Sequence, residues 1–497
     1  MAFCRHSPLS HGYPFSSCFA TLPPCFFPRP HYYGLLRAQV RHTLTTSSDA
    51  TPKPALRTGK LLQVLGIWFG IAAAIGNTIA AGIVRTPGDI AKLLPNYWLF
   101  FAVWILGGVY ALLGASSLAE LGAAIPRSGG QYNYARRAIG EYAGFFVGWS
   151  DWLSTCGTSA GVAIVIGEYT AALFAPLEPY KKSIAIAVVL LFFVLQWRGV
   201  KWGSGAQLVT SVMKTAAFVI LVLACFFLGG PAHHAAAAAA ANAPALPGGW
   251  LLAVAFVVGL QQVIYTVDGW DGVIYFSEEV KNPGRDIPRA IFGSVFSIMA
   301  IYLLLNAAVL YVLPMNAVSG DIFVLGTAAG KIFGRYGDTI VRSIMIVSLL
   351  SCINACQMFC TRILYAMSAD HLFFKRAARV NAGGTPVTAL FLSTVVAVIF
   401  VLGTFERVIA MLSFFFVANY TLSYTSLFIL RKREPTLERP YRAWGYPWTT
   451  GIALFASAAF LIGSIATDRD NAPLAAAMLV LSYPIFWIMK RLSKPAP

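Results

Sequence analysis

About twelve apolar stretches divide this chain, each of a length suited to a hydrocarbon core of ~30 Å. They run over 61–83, 98–121, 140–174, 184–197, 208–228, 250–264, 291–313, 340–364, 387–402, 408–430, 450–465 and 475–489. The stretch over 140–174 is richer in small residues than the others. A backbone inside a bilayer must satisfy its own hydrogen bonds, and segments of this length do so as helices. The pattern predicts an all-α polytopic membrane protein. Charged residues make up 11% of the 497 positions, against about a quarter in a soluble domain.

The net charge of +17 would suggest nucleic acid in a soluble chain. Here its distribution follows the positive-inside rule. Arg127, Arg136 and Arg137, Lys281, Arg285 and Arg289, and the cluster from Arg431 to Arg442 fall in loops on one side. Lys53, Arg57 and Lys60 before the first span and Lys490, Arg491 and Lys494 after the last fall on that side as well. The alternate loops are poorer in Lys and Arg. Both termini are expected in the cytoplasm, which requires an even number of spans.

Two spans carry flaws that a membrane helix keeps only for a reason. The sixth is interrupted by Tyr265-Thr266-Val267-Asp268-Gly269-Trp270-Asp271-Gly272. An ionised Asp at the bilayer centre costs roughly 2.5–3.5 kcal/mol on insertion scales, and two glycines weaken the helix beside it. The first contains Gly76-Asn77-Thr78-Ile79-Ala80-Ala81-Gly82-Ile83. Broken backbone at membrane depth is tolerated where it is buried in protein or lines a cavity. Breaks at matched positions of two five-helix halves point to a midplane site in an inverted-repeat transporter.

Several motifs then resemble the amino acid–polyamine–organocation superfamily. Glu120-Leu121-Gly122-Ala123-Ala124-Ile125-Pro126-Arg127-Ser128-Gly129-Gly130-Gln131-Tyr132 resembles its signature between spans two and three. Gly269-Trp270-Asp271 with Glu278-Glu279-Val280-Lys281-Asn282-Pro283-Gly284-Arg285-Asp286-Ile287-Pro288-Arg289 resembles its sixth-span signature. Arg362 to Asp370 followed by Thr385-Pro386-Val387 resembles the stretch joining spans eight and nine. Ile79 to Ile83 resembles its first-span element, with Ala80 where the family usually has Gly. The run from Lys281 to Arg289 is most similar to bacterial amino acid permeases and L-type exchangers.

The resemblance implies five plus five inverted helices with two more at the C-terminus, and amino acid transport by alternating access. It places the chain in a bacterial plasma (inner) membrane as a proton-coupled or exchanging, sodium-independent carrier. The expected organisation is an N-terminal extension over 1–59, a transporter domain over 60–490 and a short tail over 491–497. Within the transporter domain the halves are 61–230 and 250–431, and the last two helices 447–490. The extension reads as disordered, as an over-extended reading frame or as a targeting segment.

Substrate contacts are expected from Ile79, Ala80, Ala81 and Gly82, whose freed amides at a half-helix N-terminus suit a carboxylate. The sixth span would contribute Tyr265, Thr266, Val267 and Asp268, with freed carbonyls for an ammonium, and Trp270 and Asp271 beside them. Asp268 and Asp271 also read as caps of the following half-helix. Lys214, deep in the fifth span, resembles the lysine that replaces an ion of sodium-coupled relatives. There it would tie the first and eighth spans together and is placed to carry a proton, with Ser211 one turn earlier. The bland reading is a snorkelling lysine. Arg127, Glu278, Glu279, Lys281 and Arg285 are the expected cytoplasmic gate, with the acids pairing to Arg127 or Arg136. Asp151 and Glu168 read as paired or capping groups without a role.

No cofactor or metal is expected. Cys352, Cys356 and Cys360 share a helix face without a His at ligand spacing, so they read as packing residues. His233-His234 and the alanine run after it read as a solvated low-complexity link. The competing functions are an amino acid sensor on the same fold, a polyamine or cationic amino acid antiporter, and a multipass enzyme. An enzyme would need an intramembrane cluster of catalytic or metal-binding groups, and the histidines form none. L-type exchangers of animals use a cysteine after the third span to join a partner. The segment 176–182 has none, so no obligate disulfide-linked partner is expected.

Overall fold

The computed structural model describes residues 61–230, 246–403, 405–467 and 472–493. The readings made for 1–59, for the His233-His234 link and for most of the tail lie outside them.

The described residues form sixteen α-helices and no strand. In chain order these are α1 Ile67–Thr78, α2 Gly82–Leu93, α3 Tyr97–Ala124, α4 Gln131–Ala138, α5 Glu141–Leu173, α6 Lys181–Trp197, α7 Val200–Leu228 and α8 Trp250–Thr266. There follow α9 Pro283–Val312, α10 Met315–Val318, α11 Val324–Phe333, α12 Gly337–Ala369, α13 Val387–Val401, α14 Phe405–Arg433, α15 Trp448–Thr467 and α16 Ala472–Ser493. Six helical stretches among them are long and apolar enough to cross a membrane, and a seventh span is α1 with α2, bent by 52° at its break. The apolar helices α8, α13 and α15 are shorter, and α14 and α16 complete the described bundle. The all-α polytopic expectation holds.

Local signals explain where these helices start. The Asn96 side chain caps α3, accepting from the amides of Trp98 (3.0 Å) and Leu99 (3.2 Å), a role for which Asn is among the best residues. Pro283 opens α9, where a missing N–H costs nothing. Large apolar side chains stand exposed on the bundle, Trp98, Phe227, Trp250 and Phe455 among them. Such a surface suits hydrocarbon rather than water.

α5 and α12 form the central packing pair, and α1 is held between α7, α9 and α12. On α7 the usual amphipathic order is inverted. Gly203, Gln207, Ser211 and Lys214 recur at helical spacing on the buried face, while Leu208, Val209, Val212 and Met213 are exposed. This inversion is expected where lipid replaces water outside and polar groups must find partners inside.

The two broken spans are also tied together at one end. The Leu65 amide donates to the Glu279 carbonyl (3.0 Å), and the Lys281 amide donates to the Leu65 carbonyl (3.1 Å). The segment entering the first span is thus clamped to the one leaving the sixth.

Candidate functional site: a cavity between two broken helices

α1 ends at Thr78, and Ile79 leaves helical geometry with φ −77° and ψ 86°. α2 restarts at Gly82 after Ala80 and Ala81. The first amides of α2 have no acceptor within their own helix, and Ala80, Ala81 and Gly82 all line a cavity of about 720 Å³. That size is typical of small-molecule sites.

The sixth span breaks more severely. α8 stops at Thr266, a tight turn carries the chain through Asp271, and the continuation Gly272–Glu279 is a 3-10 helix. Gly269 makes the turn possible with φ +101°. A Cβ there would lie 2.3 Å from Asn77 Nδ2, so the second break presses its backbone against the first. Gly269→Ala combines a left-handed backbone with that clash and is expected to lower binding of any cavity ligand by roughly tenfold or more. Equilibrium binding to the purified variant checks this.

Tyr302 of α9 joins the breaks, its hydroxyl lying 2.9 Å from the Thr78 carbonyl and 3.2 Å from the Thr266 carbonyl. The Thr86 and Thr266 hydroxyls meet at 2.7 Å, fixing α2 to the end of α8. No local pattern pointed to Tyr302; it reads as one more aromatic in an apolar run.

Neither acid caps a helix. The Asp271 residue precedes the 3-10 stretch without a side-chain capping bond. Its Oδ2 accepts from Gln131 Nε2 at 3.0 Å, and Gln131 Oε1 accepts from the Ser423 hydroxyl at 2.9 Å. Asp268 Oδ1 accepts from the Tyr420 hydroxyl at 2.6 Å. The Tyr420 ring stacks between Trp270 and Tyr424. At the floor, the Tyr275 hydroxyl donates to Asp151 Oδ1 at 3.0 Å.

The cavity is lined by Ala80, Ala81, Gly82, Tyr265, Thr266, Asp268 and Asp271, among others. Ile79, Val267 and Trp270 are buried in packing and do not line the cavity. The Ile79 side chain belongs to the core, and Trp270 is spent on Tyr420. The carbonyls expected to face an ammonium are partly taken too: Tyr265 O receives the Asp268 amide, and Thr266 O receives Tyr302. Asp151 and Glu168, read as paired or capping groups, also line the cavity. Asp151 sits on the buried face of α5, and spacing alone did not say what that face meets.

Lys214 is fully buried, and its ammonium donates to the carbonyls of Gly76 (2.9 Å) and Ile79 (2.7 Å). The snorkelling alternative therefore does not apply. The expected tie to the eighth span runs through serines rather than through Lys214 itself. Ser348 of α12 donates to the same Ile79 carbonyl at 2.9 Å, and Ser211 meets Ser351 at 3.1 Å while donating to Ala72 O at 2.7 Å. Cys352 and Cys356 contact Asn77 through its carbonyl and its side-chain oxygen.

At the end of the bundle away from the mouth, ion pairs close the protein, but with other partners than expected. Arg127 (2.8 Å) and Arg136 (2.9 Å) both pair with Asp370, which also accepts from Tyr132. Glu279 turns inward and forms a bidentate pair with Arg362 at 2.9 and 3.1 Å, with side chains 0% and 1% exposed. A carboxylate this buried needs a planar, two-pronged partner, and Arg362 lies on the buried face of α12. Glu278, Lys281 and Arg285 form no ion pair among the described residues. Glu120, nearby, holds Arg431 and Arg439. Asp370, Arg362 and Glu120 all belong to the quoted motifs, so a signal for them existed without a partner attached.

Two interrupted helices facing one cavity inside an apolar helical bundle, sealed at one end by ion pairs, define a membrane transporter rather than an enzyme. The amino acid permease family model matches residues 61–489, and the chain belongs to that family. Among curated proteins it is similar to the serine/threonine exchanger SteT of Bacillus subtilis (strain 168), 28% identical over 87% of this chain and 98% of SteT. It is 27% identical to the Asc-type amino acid transporter 1 of Mus musculus, over 77% of this chain and 73% of that protein. It is 25% identical to the b(0,+)-type amino acid transporter 1 of Homo sapiens, over 78% and 80%.

Proposed function

We propose that the chain carries amino acids across the membrane by alternating access, as a sodium-independent exchanger or proton symporter. The observation that carries this reading is the pairing across one cavity of α2's N-terminal amides with the Asp268 carboxylate. The first end offers donors and a positive dipole to a substrate carboxylate. The second offers a negative charge to its ammonium. Tyr265 lines the cavity beside Asp268 and would cover the bound molecule.

Lys214 supports sodium independence. Its ammonium occupies the Gly76 and Ile79 carbonyls, oxygen ligands of the kind a sodium ion would need. The cavity reaches the surface near Arg85 and Ile322, while the Asp370 and Glu279 pairs close the opposite end. With the basic loops read as cytoplasmic, this arrangement supports the reading of an outward-facing carrier in a bacterial plasma membrane with both termini inside. The segment 176–182 after the third span has no cysteine, which supports a carrier without a disulfide-linked partner.

The test is uptake of labelled amino acids into proteoliposomes holding the full chain. It is run with and without a proton gradient, with sodium exchanged for choline, and with or without internal amino acid. Uptake that survives without sodium and rises with a proton gradient or internal substrate is the expected result. No uptake and no exchange of any amino acid would sink the reading.

A further inference from the structure

Three carboxylates, Asp268, Asp271 and Asp151, line the cavity, and Tyr275, four residues after Asp271, holds Asp151 through its hydroxyl at 3.0 Å. A zwitterionic substrate whose carboxylate sits on α2 brings one ammonium, which suits Asp268. Asp271 and Asp151 then have no cation. Two carboxylates buried at close quarters ionise together only beside a cation.

No uncommitted cation lines the cavity among the described residues. The two arginines that line the cavity are committed at its mouth, Arg85 to Asp89 (3.5 Å) and Arg342 to Asp338 (2.7 Å). Lys214 is spent on backbone carbonyls. Asp271 and Asp151 are each 3% exposed, so water does little to stabilise them. One further observation points to a ligand rather than to a self-contained network. Asp151 Oδ2, an acceptor, is buried on the cavity wall without a hydrogen-bond partner. A buried acceptor left unpaired is costly, and a cationic end group, which only donates, would satisfy it.

We propose that this transporter selects amino acids with a cationic side chain, the side-chain cation lodging between Asp271 and Asp151 while Asp268 holds the α-ammonium. This rests on the transport reading above and narrows it to a substrate class. The two carboxylates are matched by one cation between them, and the zwitterionic end is matched by α2 and Asp268.

Lysine and norleucine differ by the terminal ammonium and decide the matter. Binding of each is measured on the purified full chain, and uptake of each in proteoliposomes. Lysine is expected to bind about tenfold more tightly than norleucine or better, since one well-placed charge pair is worth that much. Asp271→Asn and Asp151→Asn are each expected to bring the ratio below about threefold. Equal binding of the two amino acids by the unaltered chain overturns the proposal, and that comparison decides even where a variant fails to fold. A ratio unchanged in both variants overturns it as well. Lysine binding without any uptake would overturn transport while upholding the selectivity. Uptake of neutral amino acids with no preference for lysine would do the reverse.

Discussion

Lys214→Met is expected to lower the initial rate of uptake roughly a hundredfold or more, and to lower thermal stability in detergent as well. The ammonium donates to two carbonyls, Gly76 O and Ile79 O, at the point where the first span unwinds. Each hydrogen bond from a charged donor contributes about 1.5–3 kcal/mol, and losing both takes the lysine from Gly76 O and leaves Ile79 O with Ser348 as its side-chain donor. The unwound geometry of Ala80 and Ala81 then loses its anchor, so the amides drift from the position in which they meet a carboxylate. Ser348→Ala removes the other donor to Ile79 O. It is uncharged, so its loss is expected to be the smaller, within about tenfold. Initial rates with each variant at several pH values, beside melting curves, separate the two. An unaltered rate and pH profile in Lys214→Met would remove the residue from the mechanism.

The second large effect concerns Glu279 and Arg362. Either single change to leucine is expected to cost about 3–5 kcal/mol, because the partner is left charged and buried. The Glu279→Leu, Arg362→Leu double variant is expected to recover much of that loss, since two apolar side chains can fill the space without a stranded charge. Unfolding measured for the four proteins gives the coupling directly. Losses that simply add would show that the two groups do not depend on one another. The pair joins the segment leaving the sixth span to α12, so a folded double variant tests a second point. Faster exchange than the unaltered chain would mark the pair as part of what holds this end shut.

Much of the architecture was legible because a bilayer leaves few choices. Runs of apolar residues of the right length become helices, and asymmetric loop charge orients them. The breaks were legible for the same reason: Gly76-Asn77-Thr78 and Asp268-Gly269 are anomalies against an apolar background. What local pattern could not supply was direction. Asp268 and Asp271 were equally plausible as caps, because a cap and a ligand contact use the same side-chain oxygen. Their turn toward Tyr420 and Gln131 depends on helices distant in the chain. Trp270 and Ile79 belong to recognisable motifs, yet motif membership does not say whether a residue faces the cavity or supports it.

By itself, then, the sequence determined the bundle, the place of both helix breaks and the depth of Lys214, since each follows from burial and backbone satisfaction along a single segment. Tertiary structure alone decided the partners: Asp370 rather than Glu278 for Arg127, Arg362 for Glu279, Tyr302 across the two breaks, and Asp151 brought beneath Asp271. An ion pair or a shared cavity is a relation between segments more than a hundred residues apart, in several cases, and no local periodicity encodes which faces meet. The broken helices expose the backbone, but the packing of α5, α12 and α14 around them sets which charges a substrate will find.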